Sequence, residues 1–239
     1  MSLNFLLRNP RFNELVQSLE HGRRDLTVTG LTAAAKPLFL ACLGRKLNRR
    51  IVYIQSSALP LAAIDEECRF YFSQFSSPLL TETLPELAEN PYLEIPPSLD
   101  AISTRMRFFY NLMHSDPALV FTNLFGLLKP FPGSSDMEDF YLGLGKGDTL
   151  ERERLLGLLA EFGYSREDLI ASHGEYAWRG GIVDVFSPWQ ANPFRIELSG
   201  SRVVSLREFD ASTQRSLRML DRILVPSLRE FPGSKDFVH

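Results

Sequence analysis

The sequence predicts an α/β protein: a parallel-sheet, P-loop-like domain with helices on both faces, plus an inserted small α+β lobe with an antiparallel β ribbon. Three observations predict it. The strand-like run at residues 25–29 (DLTVT) is followed by a glycine, a helical pattern and a second strand-like run, Ile51–Gln55. That order is a βαβ unit, which calls for a parallel sheet covered by helices. A cluster of turn formers (Pro130, Pro132, Gly133, Ser134, Ser135) then marks a boundary. Beyond it, residues 175–210 alternate with period two, as an antiparallel ribbon does. The expected organisation is therefore residues 1–132 as the α/β domain and 133–212 as the lobe. Residues 213–239 form a return segment toward the first domain, read as the end of a piece of a longer chain.

Taken in order, residues 11–20 read as a short amphipathic helix and 25–29 as a buried strand. A helix starts near Pro37, a residue tolerated in the first helical turn, and repeats Phe39, Leu43 and Leu47 along one side. Arg45, Lys46, Arg49 and Arg50 crowd its C-terminal end, where cations complement the helix dipole. A helix over 59–75 follows, then a loop rich in Pro, Ser, Thr and Glu over 76–97, a helix over 100–114 and a buried strand at 118–121. In the lobe, residues 140–144 read as a strand, and Asp148 with Glu151 as a capping-box-like helix start. That helix carries Leu155, Leu158, Leu159 and Phe162 on one stripe, and Gly163 ends it. Ser199 and Gly200 make a hairpin turn, and residues 223–226 (ILVP) are expected to carry the chain back to the first sheet.

Composition narrows the function classes. The 239 residues are 44% hydrophobic and 23% charged, ordinary for a globular protein, and the net charge of −3 argues against a protein that grips duplex DNA by bulk electrostatics. Cys42 and Cys68 lie far apart without CxxC spacing, and the four histidines form no HxxxH pair. No metal, no cofactor and no disulfide framework are expected, and a reducing cytoplasm fits. The N-terminus lacks the form of a signal peptide, and no run approaches the ~18 apolar residues of a membrane span.

Residues 30–37 stand where a P-loop would. A working loop reads GxxxxGK[ST], cradling phosphates with backbone N–H groups, pairing them with Lys and binding Mg²⁺ through the hydroxyl. Here Gly30 and Lys36 are present, but Ala35 replaces the second glycine and Pro37 replaces the hydroxyl residue. A Cβ at Ala35 obstructs the approach of phosphate, and Pro37 also removes a donor. Nucleotide hydrolysis is not expected, and the segment reads most simply as a helix start packed on the sheet.

The lobe contains Tyr164, Arg166 and Asp168, then Gly174, Tyr176, Trp178, Arg179, Gly180, Gly181, Asp184 and Phe186. Gly180-Gly181 inside a β pattern suggests a bulge or sharp bend that aims neighbouring side chains away from the sheet. An exposed arginine beside aromatics is the usual chemistry of an interface anchor. From spacing alone, Arg166 and Arg179 are most simply solvated charges on a ribbon, and Tyr176, Trp178 and Phe186 core residues.

The run GYSREDLIASHGEYAWRGGIVDVFSP, continued by PFRIELSGSRVVSLREFDASTQRSL, resembles the motif shared by the damage-recognition protein UvrB and the transcription-repair coupling factor Mfd. That pattern is Y-x-R-x-D, then G-x-[FY]-x-x-R-G-x-[IV]-[DE]-[IV]-F-P, a charged hairpin and F-D-x-x-[ST]-Q-[RK]-[ST]. The version here, FDASTQRSL at 209–217, and the degenerate P-loop resemble the N-terminal UvrB-like module of the coupling-factor branch. The compact stretch at 91–100 leaves little room for the long hairpin that UvrB inserts into DNA.

The resemblance implies a non-catalytic module of nucleotide-excision repair that recruits UvrA through this lobe. Arg166, Arg179 and Phe186 match the partner-binding positions, and Gly174, Gly180 and Gly181 match positions that shape the ribbon. Ala177 stands where UvrB-type proteins often carry another arginine. RNA polymerase and DNA would be engaged only by parts of a longer protein, no membrane is involved, and the module is expected to be a monomer. The alternative is an ATP-dependent UvrB-like repair factor with residual nucleotide binding. A third possibility, DNA contact through Arg45–Arg50, competes with the simpler reading of a solvated helix end.

Overall fold

A computed structural model describes residues 4–47, 49–56, 60–75, 79–86, 97–128, 131, 133 and 137–229. The chain forms two compact units, Met1–Glu86 with Tyr110–Pro130, and Leu87–Phe109 with Phe131–His239. Most of the expected boundary cluster (Pro130, Pro132, Ser134 and Ser135), residues 91–96 and residues 230–239 lie outside the described residues.

The first unit opens with α1 (Asn4–Leu7) and α2 (Pro10–Glu20). Asn9 caps α2, its Oδ1 accepting from the N–H groups of Arg11 and Phe12 at 3.0 and 3.2 Å, while Pro10 needs no donor in the first turn. Phe12 and Val16 bury against Cys42 and Leu43 of α3 (Lys36–Lys46). The buried face of α3 also takes in Leu40 and Ala41, wider than the sequence stripe of Phe39, Leu43 and Leu47, because a second cluster covers it. There Leu40 and Ala41 meet Cys68 and Phe72, with Leu119 and Phe121.

β1 (Ile51–Gln55), α4 (Leu61–Ser73) and β2 (Thr81–Thr83) follow. Then come α5 (Leu99–His114), whose residues from Tyr110 belong to this unit, β3 (Leu119–Asn123) and α6 (Leu124–Leu128). The three strands form a parallel sheet in the order β1-β3-β2. Asp65 of α4 fastens that helix to the sheet: it accepts two hydrogen bonds from Arg69 at 2.9 and 3.0 Å, and others from Thr81 at 2.5 Å and Thr83 at 2.9 Å.

Two sequence expectations fail here. Residues 25–29 are not a buried strand; they run largely exposed, paired with no strand among the described residues. β propensity becomes a strand only when a neighbouring edge accepts its hydrogen bonds, and none does. Conversely, β2 forms inside the stretch expected to be loop, because β3 offers it a parallel partner.

The second unit contains β4 (Tyr141–Gly145), α7 (Arg152–Glu161) and β5 (Ser165–Arg166), then β6 (Glu175–Arg179), β7 (Ile182–Val185), β8 (Phe194–Ser199), β9 (Arg202–Phe209), β10 (Ser216–Met219) and β11 (Arg222–Pro226). Six strands form one sheet, β10-β9-β8-β7-β6-β5, antiparallel except that β5 runs parallel to β6. α7 packs Leu155 and Leu159 against Val183, Val185, Ile196 and Leu206. Gly163, at φ +90°, turns the chain out of α7 as a left-handed C-terminal residue, its N–H reaching Ala160 O at 3.1 Å.

Asp148 does not cap α7. Its carboxylate accepts from Gly145 N–H at 2.7 Å and closes the turn after β4, while Glu151 precedes the helix without a side-chain cap bond. Residues 223–226 do not return to the first sheet either: β11 pairs antiparallel with β4 along its length. The strand is apolar on one side, and β4 supplied the nearer unpaired edge.

Candidate functional site

The β6–β7 hairpin forms from a two-residue turn. Arg179 pairs with Ile182, which leaves Gly180 and Gly181 as the connection, with Gly180 at φ +60°. Such tight connections favour a glycine where φ is positive. Gly181 is required for another reason, since a Cβ there would stand 2.5 Å from the carbonyl oxygen of Leu198 on β8. The glycine pair is thus a hairpin turn rather than a mid-strand bulge. Gly174 enters β6 buried at φ +86°, where a Cβ would press on Leu99 and Leu228 at 3.2 Å. The connection from β5 to β6 is held by Glu175, whose carboxylate accepts from the N–H groups of Ala171 and Ser172 at 2.7 and 2.8 Å.

Strand alternation then sorts the side chains of β6. Tyr176 and Trp178 face α7, and Trp178 packs on the core there; Ala177 and Arg179 face the opposite side. Arg166, in register with Tyr176, is exposed and sits with its guanidinium carbon 5.0 Å from the Trp178 ring centroid. Arg179 is exposed and donates from Nη2 to the carbonyl oxygen of Asp168 at 2.8 Å. The two arginines therefore straddle the β5–β6 edge instead of sharing one face.

Their electrostatic setting differs from that of the other sheet arginines. Arg195 forks onto Asp184 at 2.6 and 2.7 Å, and Arg207 pairs with Glu197 and Arg218 with Glu208. The Asp184 carboxylate holds the Arg195 guanidinium charged, and hydrogen bonds from Asn192 and Arg218 lower the pKa of Glu208. Arg166 and Arg179 form no ion pair among the described residues. They are the fork-shaped donors at this edge that remain for another molecule.

Phe186 is placed otherwise than the resemblance implied. It is 8% exposed and packs with Ile170, Ala177 and Phe209, the His173 ring lying 4.2 Å across it. An aromatic ring at the end of a strand covered by the 167–172 loop supports that loop from beneath. Beside Arg179, a cavity of about 180 Å³ opens between Leu169, Ala177, Ile182 and Arg195. Gln214, the non-glycine residue at positive φ (+59°), stands at its rim and accepts from Arg195 at 3.1 Å. The turn before it is closed by Asp210, whose pKa is lowered to about 2 by hydrogen bonds from Ser212 and Thr213.

Sequence reasoning missed Arg152. It lies on α7, far from the hairpin in sequence, yet its guanidinium carbon is 5.0 Å from the Trp178 ring centroid and its Nη1 donates to Gly180 O at 3.1 Å. No spacing pattern signals such a contact, because the helix brings it there.

In the first unit, Ala33–Ala35 form a 3₁₀ turn leading into α3. The N–H groups of Ala35 and Lys36 both donate to Thr32 O, at 3.0 and 3.3 Å, and Pro37 is buried in the first helical turn. Gly30 is exposed at φ +81°. A cavity of about 670 Å³ adjoins this segment, with Lys36, Tyr53, Gln55 and the carboxylate of Glu67 on its walls. The two N–H groups at this helix start are thus spent on the chain's own carbonyl. Among the described residues no group of three or more His, Cys, Asp or Glu side chains is set to hold a metal, and no helix is long and apolar enough to cross a membrane. Cys42 and Cys68 are buried free thiols, and burial pushes their pKa up to about 11 and about 12.

Residues 142–231 match the family model of the UvrB interaction domain. Over nearly its whole length the chain is similar to proteins named transcription-repair-coupling factor. It is 24% identical to that of Bacillus subtilis over 95% of the chain, 29% identical to that of Mycobacterium bovis over 90%, and 28% identical to that of Escherichia coli over 86%. The match covers 19%, 17% and 17% of those relatives, so the chain spans less than a fifth of their length. It resembles the N-terminal, UvrB-like module of a transcription-repair coupling factor, in line with the sequence motif between Gly163 and Leu217.

Proposed function

We propose that this chain is a docking module that recruits UvrA in transcription-coupled nucleotide-excision repair, gripping it through Arg166 and Arg179 at the β5–β6 edge. The observation that carries the reading is the contrast in charge pairing. Arg195, Arg207 and Arg218 are matched by carboxylates of their own sheet, whereas the two arginines singled out by the shared motif are exposed and unmatched. Gly174, Gly180 and Gly181 shape the ribbon that holds them, and Phe186 acts from beneath by supporting the 167–172 loop.

No bond is made or broken in this role. The degenerate P-loop reading, in which Gly30, Ala35, Lys36 and Pro37 no longer bind a nucleotide, is supported by the N–H groups of Ala35 and Lys36 being occupied by Thr32 O. Glu67 beside Lys36 would also repel a phosphate. The module acts as a monomer in the cytoplasm, a placement supported by its two free cysteines; RNA polymerase and DNA are contacts of other parts of a longer protein.

Calorimetric titration of the chain with UvrA from the same organism tests the reading. Binding by the wild type that weakens at least about tenfold in the Arg166→Ala/Arg179→Ala double variant, with an unchanged melting temperature, is expected. Equal affinity of the two proteins refutes it. Measurable Mg²⁺-ATP affinity in a parallel titration would favour the enzyme alternative.

A further inference from the structure

We propose that Arg166, Trp178 and Arg152 form one recognition site for a carboxylate side chain of a partner protein, in which Arg166 takes the carboxylate and Arg152 is its positioning residue. The inference rests on the docking reading above and deepens it. Two guanidinium groups, from β5 and from α7, lie 5.0 Å from the centroid of the same indole ring. The Trp178 ring is half-buried against the core, so its orientation is fixed from below. Arg152 fixes it from the side. Its Nη1 reaches the turn at Gly180 O, and its Nη2 pairs with Glu153 at 2.5 Å.

The two cations are therefore not equivalent. Arg152 is already committed to a carbonyl and a carboxylate, and Arg166 has neither. A planar fork held flat on an aromatic face presents two parallel donors, which match the two oxygens of a carboxylate. A single carboxylate also relieves the repulsion between the like charges on one ring. The flanking Glu151, Glu153, Glu167 and Asp168 are all exposed. They tolerate one acidic side chain but repel the successive phosphates of a nucleic acid, which favours a protein partner.

Two measurements on the full chain test this. In a Trp189→Phe variant, Trp178 is the sole tryptophan and reports directly on the site. An oligo-glutamate peptide should change its fluorescence saturably, and Arg166→Ala should abolish the change; no change in the parent, or an equal response to a single-stranded oligonucleotide of matching charge, overturns the proposal. In UvrA titrations, Arg152→Ala should weaken binding about fivefold alone and leave affinity unchanged in the Arg166→Ala background. Arg152→Lys, which keeps the charge but not the planar stack, should fall between wild type and Arg152→Ala. Additive losses, or no loss in Arg152→Ala, overturn the positioning role. If UvrA does not bind the wild type, the docking reading fails while the peptide arm still decides the carboxylate site.

Discussion

The guanidinium of Arg179 donates to the main-chain carbonyl of Asp168 at 2.8 Å, which ties the end of β6 to the loop that leaves β5. One donor of the fork is spent on this tie, and the rest face outward. A lysine could keep the charge but not both the tie and a second directed bond. Arg179→Lys should therefore lose most of the affinity that Arg179→Ala loses for UvrA, while leaving the salt dependence of binding close to wild type. Wild-type affinity in the lysine variant would show that charge alone is recognised.

Phe186 is a core residue, and its truncation separates stability from docking. Phe186→Ala removes a ring packed on Ile170, Ala177 and Phe209, and should cost about 3 kcal/mol in urea unfolding. Any loss of partner affinity should follow the loosening of the 167–172 loop, seen as faster amide exchange at Ile170. A fully stable variant with abolished binding would instead make the ring a direct contact.

The two hairpin glycines should answer differently to the same methyl group. Gly181→Ala drives a Cβ to 2.5 Å from Leu198 O, a backbone atom with little room to yield, and should destabilise by about 2 kcal/mol. Gly180→Ala meets no atom, and only its left-handed φ of +60° resists, at about 1 kcal/mol. Chemical denaturation of both variants checks the order; Gly180→Ala proving the more damaging would contradict it.

Asp65 gives the first unit a pH dependence. Burial pushes its carboxyl up, but hydrogen bonds from Arg69, Thr81 and Thr83 outweigh this and lower the pKa below its ordinary value. A depressed folded value means that its contribution is complete above the unfolded value of about 3.9 and is lost as pH falls through the folded one. Stability of the first unit should therefore decline below about pH 4, and Asp65→Asn should both flatten that decline and cost about 2 kcal/mol at neutral pH. A variant as stable as wild type at neutral pH would remove Asp65 from the account.

Legibility differed between the two units for identifiable reasons. Helices α2 to α5 and α7 announced themselves by apolar periodicity, and β6 to β9 by alternation and by Gly180-Gly181 and Gly200, because these signals act between residues close in sequence. The 25–29 run carried an equally good strand signal and formed no strand, while Thr81–Thr83 carried little and did. Whether an extended segment becomes a strand depends on a free edge beside it, which is not a property of the segment.

The same division holds for the docking site. The sequence by itself determined that arginines, a tryptophan and a glycine-turned ribbon occur together, and that the segment before α3 lacks the glycine and hydroxyl of a phosphate loop. Only the tertiary structure decided that Arg166 and Arg179 stand on opposite sides of one edge, that Phe186 is buried, that residues 222–226 pair with β4, and that Arg152 arrives from a helix to flank Trp178. Cross-strand pairing and packing join residues distant along the chain, and the free energy of those contacts is settled by which surfaces meet, not by the order in which the residues are written.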